Sequence, residues 1–133
     1  MQYDEFVGKV QNKARLASRG ETVRAIQATL KTLAERIAGV ETDDLAAQLP
    51  PELATFLQDI EKTERFSVDD FFQRVATKES VDVPDAAHHA RAVMTVLEEA
   101  VTTGELEDIR AQLPANYEPL FEAGSEGEMD VDA

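Results

Sequence analysis

The sequence predicts an all-α fold of about eight helices, built as two tandem four-helix repeats packed around a pseudo-two-fold axis. Three observations carry this expectation. The run Asp44-Leu45-Ala46-Ala47-Gln48-Leu49-Pro50 returns as Asp108-Ile109-Arg110-Ala111-Gln112-Leu113-Pro114, and such internal repetition sets the architecture before any single element does. Apolar residues recur at the helical spacing of three and four along both copies. Strand-like alternation is absent, and the β-branched residues sit inside helical periods.

The register extends upstream. Tyr3-Asp4-Glu5-Phe6-Val7 corresponds to Val68-Asp69-Asp70-Phe71-Phe72, and Leu30, Leu33 and Ile37 correspond to Met94, Leu97 and Val101. The repeats are assigned to 3–58 and 67–122, within a single domain spanning 1–123. Residues 124–133 form a Gly- and acid-rich tail without apolar period, expected to be disordered.

The first helix of copy one aligns Tyr3, Phe6, Val7, Val10 and Ala14 on one face. Ser18-x-x-Glu21 is a capping box that opens the longest helix, whose buried stripe is Ile26, Leu30, Leu33 and Ile37. Gly39 is expected to end it. A short third helix over Thr42–Gln48 stops at Pro50, which opens a fourth carrying Leu53, Phe56 and Leu57. The linker 59–65 is short and charged, so the copies are expected to pack together. In copy two, Ser67 caps a helix with Val68, Phe71, Phe72, Val75 and Ala76 inward, and Phe66 can staple onto Phe71. Asp82-x-x-Asp85, with Pro84 in the first turn, opens the second long helix. Its stripe is Ala90, Met94, Leu97 and Val101, and its end is placed near Gly104. A helix over Glu105–Gln112 and a last one with Tyr117, Leu120 and Phe121 complete the copy.

Composition narrows the function classes. With no cysteine, disulfides, thiolate nucleophiles and cysteine-rich zinc sites are excluded. No apolar run approaches the roughly 20 residues of a membrane span, and Met1–Val10 is amphipathic and acidic rather than a signal peptide. A cytoplasmic protein with no membrane contact is expected. The net charge is −14, with five acids and no base in 122–133. That balance disfavours nucleic-acid binding. Eight Arg against five Lys, with abundant Ala and acids, points to a salt-adapted proteome, the alternative being an ordinary acidic bacterial protein.

No catalytic, cofactor-binding or metal-binding residue is assigned. His88 and His89 follow Asp85 by about one turn, but adjacent side chains on a helix diverge by about 100°, and no second Glu-x-x-His motif completes a metal set. Ser18 and Ser67 read as caps rather than nucleophiles. Register-matched acids such as Glu35 with Glu99 and Glu41 with Glu105 read as solvated. Two features remain. Arg15, Arg19, Arg24 and Lys31 form a candidate partner surface, the competing reading being neutralisation by acids of copy two or the tail. His89, Val93, Val96 and Ala100 form a second stripe on the second long helix, where copy one has Ala25, Thr29, Thr32 and Arg36. The stripe is either core or a self-association surface. Core is the expectation, with helix 84–103 running through the middle.

Tyr3-Asp4-Glu5-Phe6, the stretch Arg15 to Arg24 leading into the long helix, and the repeated Ala47-Gln48-Leu49-Pro50 and Ala111-Gln112-Leu113-Pro114 resemble the prokaryotic domain-of-unknown-function family 2267 over residues 1–121. The acidity and the junction Glu64-Arg65-Phe66-Ser67-Val68-Asp69-Asp70-Phe71-Phe72 resemble its haloarchaeal members. The resemblance implies a small helical cytoplasmic protein and carries no activity with it. The reading is therefore a non-enzymatic helical interaction module, monomer or homodimer, that binds another macromolecule (an unknown protein partner is possible) or itself. The alternative is a small-molecule or lipid-binding bundle with an apolar cleft between copies; the third is an enzyme using acidic residues.

Overall fold

A computed structural model of the chain describes residues 1–60 and 62–122. It is all-helical, with no strand among the described residues. The order is α1 (Tyr3–Ala14), α2 (Arg19–Arg36), α3 (Gly39–Ala47), α4 (Pro51–Ala54, continuing as a 3-10 turn through Thr55–Leu57), α5 (Val68–Glu79), α6 (Val83–Ala100), α7 (Thr103–Ala111) and a C-terminal 3-10 helix (Ala115–Phe121). α1 and α5 are 12 residues long, α2 and α6 are 18, and α3 and α7 are 9. The acidic tail expected to be disordered lies outside the described residues.

The helix starts are local in origin. Ser18, Ser67, Asp82 and Thr102 hold extended backbone, and each side-chain oxygen accepts from the N–H three residues on, at 3.0–3.1 Å. Each bond satisfies a donor that the first turn leaves unpaired. Phe66 and Phe71 lie 6.5 Å apart across the start of α5, the geometry of a hydrophobic staple.

The helix ends differ from the sequence expectation. Gly39 and Gly104 do not terminate α2 and α6. They lie in the first turns of α3 and α7, and no described glycine has positive φ. α2 stops because Ile37, fully buried, turns extended at φ −97° and ψ 159° while its N–H still bonds Leu33 O. Val101 does the same after α6, at φ −120° and ψ 168°. An extended apolar residue, fully buried at Ile37 and half-buried at Val101, thus ends each long helix, and α3 and α7 start three and two residues earlier than expected. The left-handed caps fall instead on Arg15 (φ 56°) and Ser80 (φ 62°), after α1 and α5.

α2 and α6 pack against each other, and each also carries α1, α5 and one of the 3-10 segments. α3 lies against α7. The stripes predicted from spacing are the core. Phe6, Val7 and Val10, Ile26, Leu30 and Leu33, Phe71 and Val75, and Ala90, Met94 and Leu97 are all fully buried. Truncating one of the larger ones to Ala costs about 2–5 kcal/mol. Aromatic side chains close the junction between α5 and the C-terminal segment. Phe71 meets Tyr117 edge-on at 6.1 Å, and the Tyr117 hydroxyl donates to Phe66 O at 2.6 Å.

Candidate functional site

The four cations of the candidate partner surface divide. Arg19 donates to Asp4 Oδ1 at 2.6 Å and sits 5.6 Å over the Tyr3 ring. It is drawn onto α1. Arg15, Arg24 and Lys31 make no ion pair or side-chain hydrogen bond with any described residue. Arg24 and Lys31 are seven residues apart on α2, so they share one face. Arg15 and Arg24 are exposed, and Lys31 is half-buried.

Neutralisation between the halves uses other residues. Lys9 on α1 pairs with Glu99 on α6 at 3.0 Å, and Arg74 on α5 pairs with Glu35 on α2 at 3.1 Å. Lys78 joins Glu35 at 3.1 Å and donates to Thr32 Oγ1 at 3.1 Å. Glu35 and Glu99, read from sequence as solvated acids, are therefore each ion-paired.

The second stripe lies inside the chain. Val93 and Val96 are fully buried, His89 is 7% exposed and Ala100 is half-buried. Thr29 and Thr32 are as buried as the valines that stand opposite them in the sequence register. Burial therefore does not distinguish the valines from the threonines at these register positions. Thr32 is accommodated because its hydroxyl donates to Ala28 O at 2.8 Å, inside its own helix.

His89 does more than fill a slot. Its Nδ1 pairs with Glu79 Oε2, and Glu79 is itself 3% exposed. Burial pushes the His89 pKa down; the Glu79 hydrogen bond and charge, with Asp85 and Glu21 beyond, pull it up, and the net shift is upward. His88 points to solvent. A sequence signal for this pair exists. The register places Glu79 against Ala14 and His89 against Ala25, a double replacement of small apolar residues by an acid and a base.

The α3–α7 contact holds the feature that the sequence reading missed. One carboxylate oxygen each from Glu41, Glu105 and Asp108 lie within 4.8 Å of one another. Glu41 and Asp44, like Glu105 and Asp108, are three residues apart and share a helix face. Glu105 is only 5% exposed, against the expectation of a solvated acid. Glu41 Oε1 and Glu105 Oε2 are buried with no hydrogen-bond partner. Burial first, then the charges of Asp108 and Asp44, raises the Glu41 pKa; burial first, then Glu41, Asp44 and Asp108, raises that of Glu105.

The crowding follows from local structure. Both glutamates occupy the third position of their helices, where a capping-box side chain usually turns back to the N–H of the cap residue. Those N–H groups are already taken across the contact. Gln48 Oε1 accepts from Thr102 N–H at 2.8 Å, and Gln112 Oε1 accepts from Ala38 N–H at 3.4 Å. With their usual partner engaged by the other half, the glutamates face each other.

Three hollows are lined by described residues. They enclose about 290, 590 and 480 Å³, all open to solvent, and charged or polar side chains such as Glu35, Arg74, Glu64, Arg65, Asp43 and Lys62 line them. A ligand pocket is typically enclosed and mostly apolar.

The fold and these contacts define a small all-helical protein with charged contacts across its halves. The chain belongs to the family of uncharacterised conserved proteins DUF2267, whose sequence profile matches residues 3–120. No curated protein matches the chain. No helix among the described residues is long and apolar enough to cross a membrane.

Proposed function

We propose that this protein is a non-enzymatic helical interaction module, and that Arg24 and Lys31 on one face of α2, with Arg15 at the end of α1, dock an acidic segment of a protein partner. The observation that carries the reading is that these three cations stay unpaired among the described residues of a chain with a net charge of −14. Acids are abundant on the surface, yet no described acid forms an ion pair with them.

The scaffold is read as a duplication, with repeats 3–58 and 67–122 related by a pseudo-two-fold axis inside one domain spanning 1–123. Reciprocal contacts support it: Lys9–Glu99 answers Arg74–Glu35, and Gln48–Thr102 answers Gln112–Ala38. A salt-adapted, haloarchaeal-type, cytoplasmic protein fits the acidity. At about 1 M salt the Debye length falls to about 3 Å, so self-repulsion is screened while close ion pairs persist. A monomer or homodimer that avoids nucleic acid completes the reading. The three hollows lined by described residues, open and charged, lend no support to the small-molecule or lipid-binding alternative.

Fluorescence anisotropy tests the docking reading. A labelled peptide of alternating Asp and Glu should bind the wild type, more weakly as salt rises. Arg15→Gln/Arg24→Gln/Lys31→Gln should abolish binding while leaving the melting temperature nearly unchanged, because these side chains pair with no described residue. Equal binding by the variant contradicts the reading.

A further inference from the structure

We propose that the α3–α7 contact is a site for a hard divalent cation, Ca²⁺ by the number of carboxylates, held by Glu41, Glu105 and Asp108 with Asp44 alongside, and that the ion clasps the two halves of the chain. This goes beyond the docking reading and is independent of it.

The donors are carboxylate oxygens alone, the set that selects Ca²⁺, Mg²⁺ or Mn²⁺ over softer metals. They come from two helices of different halves, so an ion between them closes a contact distant in sequence. The independent observation is Glu105. A side chain only 5% exposed carries an oxygen with no partner, and its carboxylate reaches within 4.8 Å of both Glu41 and Asp108. An unpaired buried carboxylate is strongly unfavourable unless its charge is met. No described cation meets it. Arg110, on the same helix, pairs with Glu118 at 3.6 Å instead. The usual neutral solution, a bond back to the cap N–H, is blocked at both glutamates by Gln112 and Gln48. Asp108 and Asp44 are exposed, which leaves a path for an ion and its remaining waters.

Ligand number favours Ca²⁺. Three carboxylates within 4.8 Å of one another, with a fourth alongside, suit an ion that takes about six to eight oxygens in flexible geometry, whereas Mg²⁺ is usually held by one or two carboxylates and keeps several waters. A proton shared between Glu41 and Glu105 is the competing way to relieve the repulsion, and the experiment separates the two.

The full chain is melted in about 1 M NaCl, where diffuse counterion effects are saturated, with EDTA or with about 1 mM CaCl₂. The wild type should gain about 5 °C or more with Ca²⁺, and calorimetric titration with CaCl₂ should show one site per chain. Glu41→Gln/Glu105→Gln should melt no lower than the wild type in EDTA, since a repulsion is removed, and should gain nothing from Ca²⁺. Glu5→Gln/Glu98→Gln removes the same charge from exposed acids and should keep the full gain. A wild type indifferent to Ca²⁺ overturns the proposal in favour of the shared proton. So does a gain that the Glu41/Glu105 variant retains.

Discussion

Ala14 and Ala25 are buried at the end of α1 and on α2; at the matching register positions of the second half stand Glu79 and His89, equally buried and paired with each other. One pair of register positions thus carries two buried methyl groups and the matching pair an acid and a base. On the duplication reading proposed above, alanines suffice in one half, so the pair is not a requirement of the fold. It adds a contact whose strength depends on protonation, at the cost of desolvating two ionisable groups.

The largest effect should come from the shared centre rather than from this difference. Val96 and Thr32 are both fully buried at the same register position. Val96→Asp places an unpaired charge there and should remove about 4 kcal/mol or more of stability in denaturant titrations. A folded variant of undiminished stability and half the wild-type mass would instead make the stripe a homodimer surface.

Breaking the pair from one side comes next. His89→Leu strands Glu79 and should cost about 3–5 kcal/mol, whereas Glu79→Met/His89→Leu, apolar and similar in volume, should return close to wild-type stability. Two additive losses would show that the side chains serve as packing alone. The pH dependence sharpens the same point. The His89 pKa is raised on folding above its ordinary 6.5, so the stabilisation it contributes is complete below about pH 6.5 and is lost as pH rises through the raised value. The difference in melting temperature between wild type and the double variant should shift in that direction from mildly acidic to alkaline pH. A pH-independent difference contradicts it.

Much of the scaffold was legible. The stripes Ile26-Leu30-Leu33 and Ala90-Met94-Leu97, and the caps Ser18, Ser67 and Asp82, are written in local spacing, and the structure places them as read. The ends of the long helices were not, because Ile37 and Val101 stop them through tertiary burial, which no local motif announces. Register comparison could have found Glu79–His89. The Glu41–Glu105–Asp108 cluster was harder, because it depends on Gln48 and Gln112 reaching across the α3–α7 contact to take the N–H groups that the glutamates would otherwise cap.

A smaller effect separates the halves by charge. The second half and the tail carry most of the excess acid, so melting temperature should rise between low and about 1 M NaCl. Removal of residues 124–133 should reduce that rise. A flat or falling midpoint would contradict the salt-adapted reading.

The docking surface is tested most directly residue by residue. Amide NMR shifts of the ¹⁵N-labelled full chain are followed while an acidic peptide of alternating Asp and Glu is added, with the Arg15→Gln/Arg24→Gln/Lys31→Gln variant in parallel. The account predicts shifts concentrated between Arg15 and Lys31 in the wild type and absent in the variant. Shifts spread over both halves, or unchanged in the variant, would contradict it.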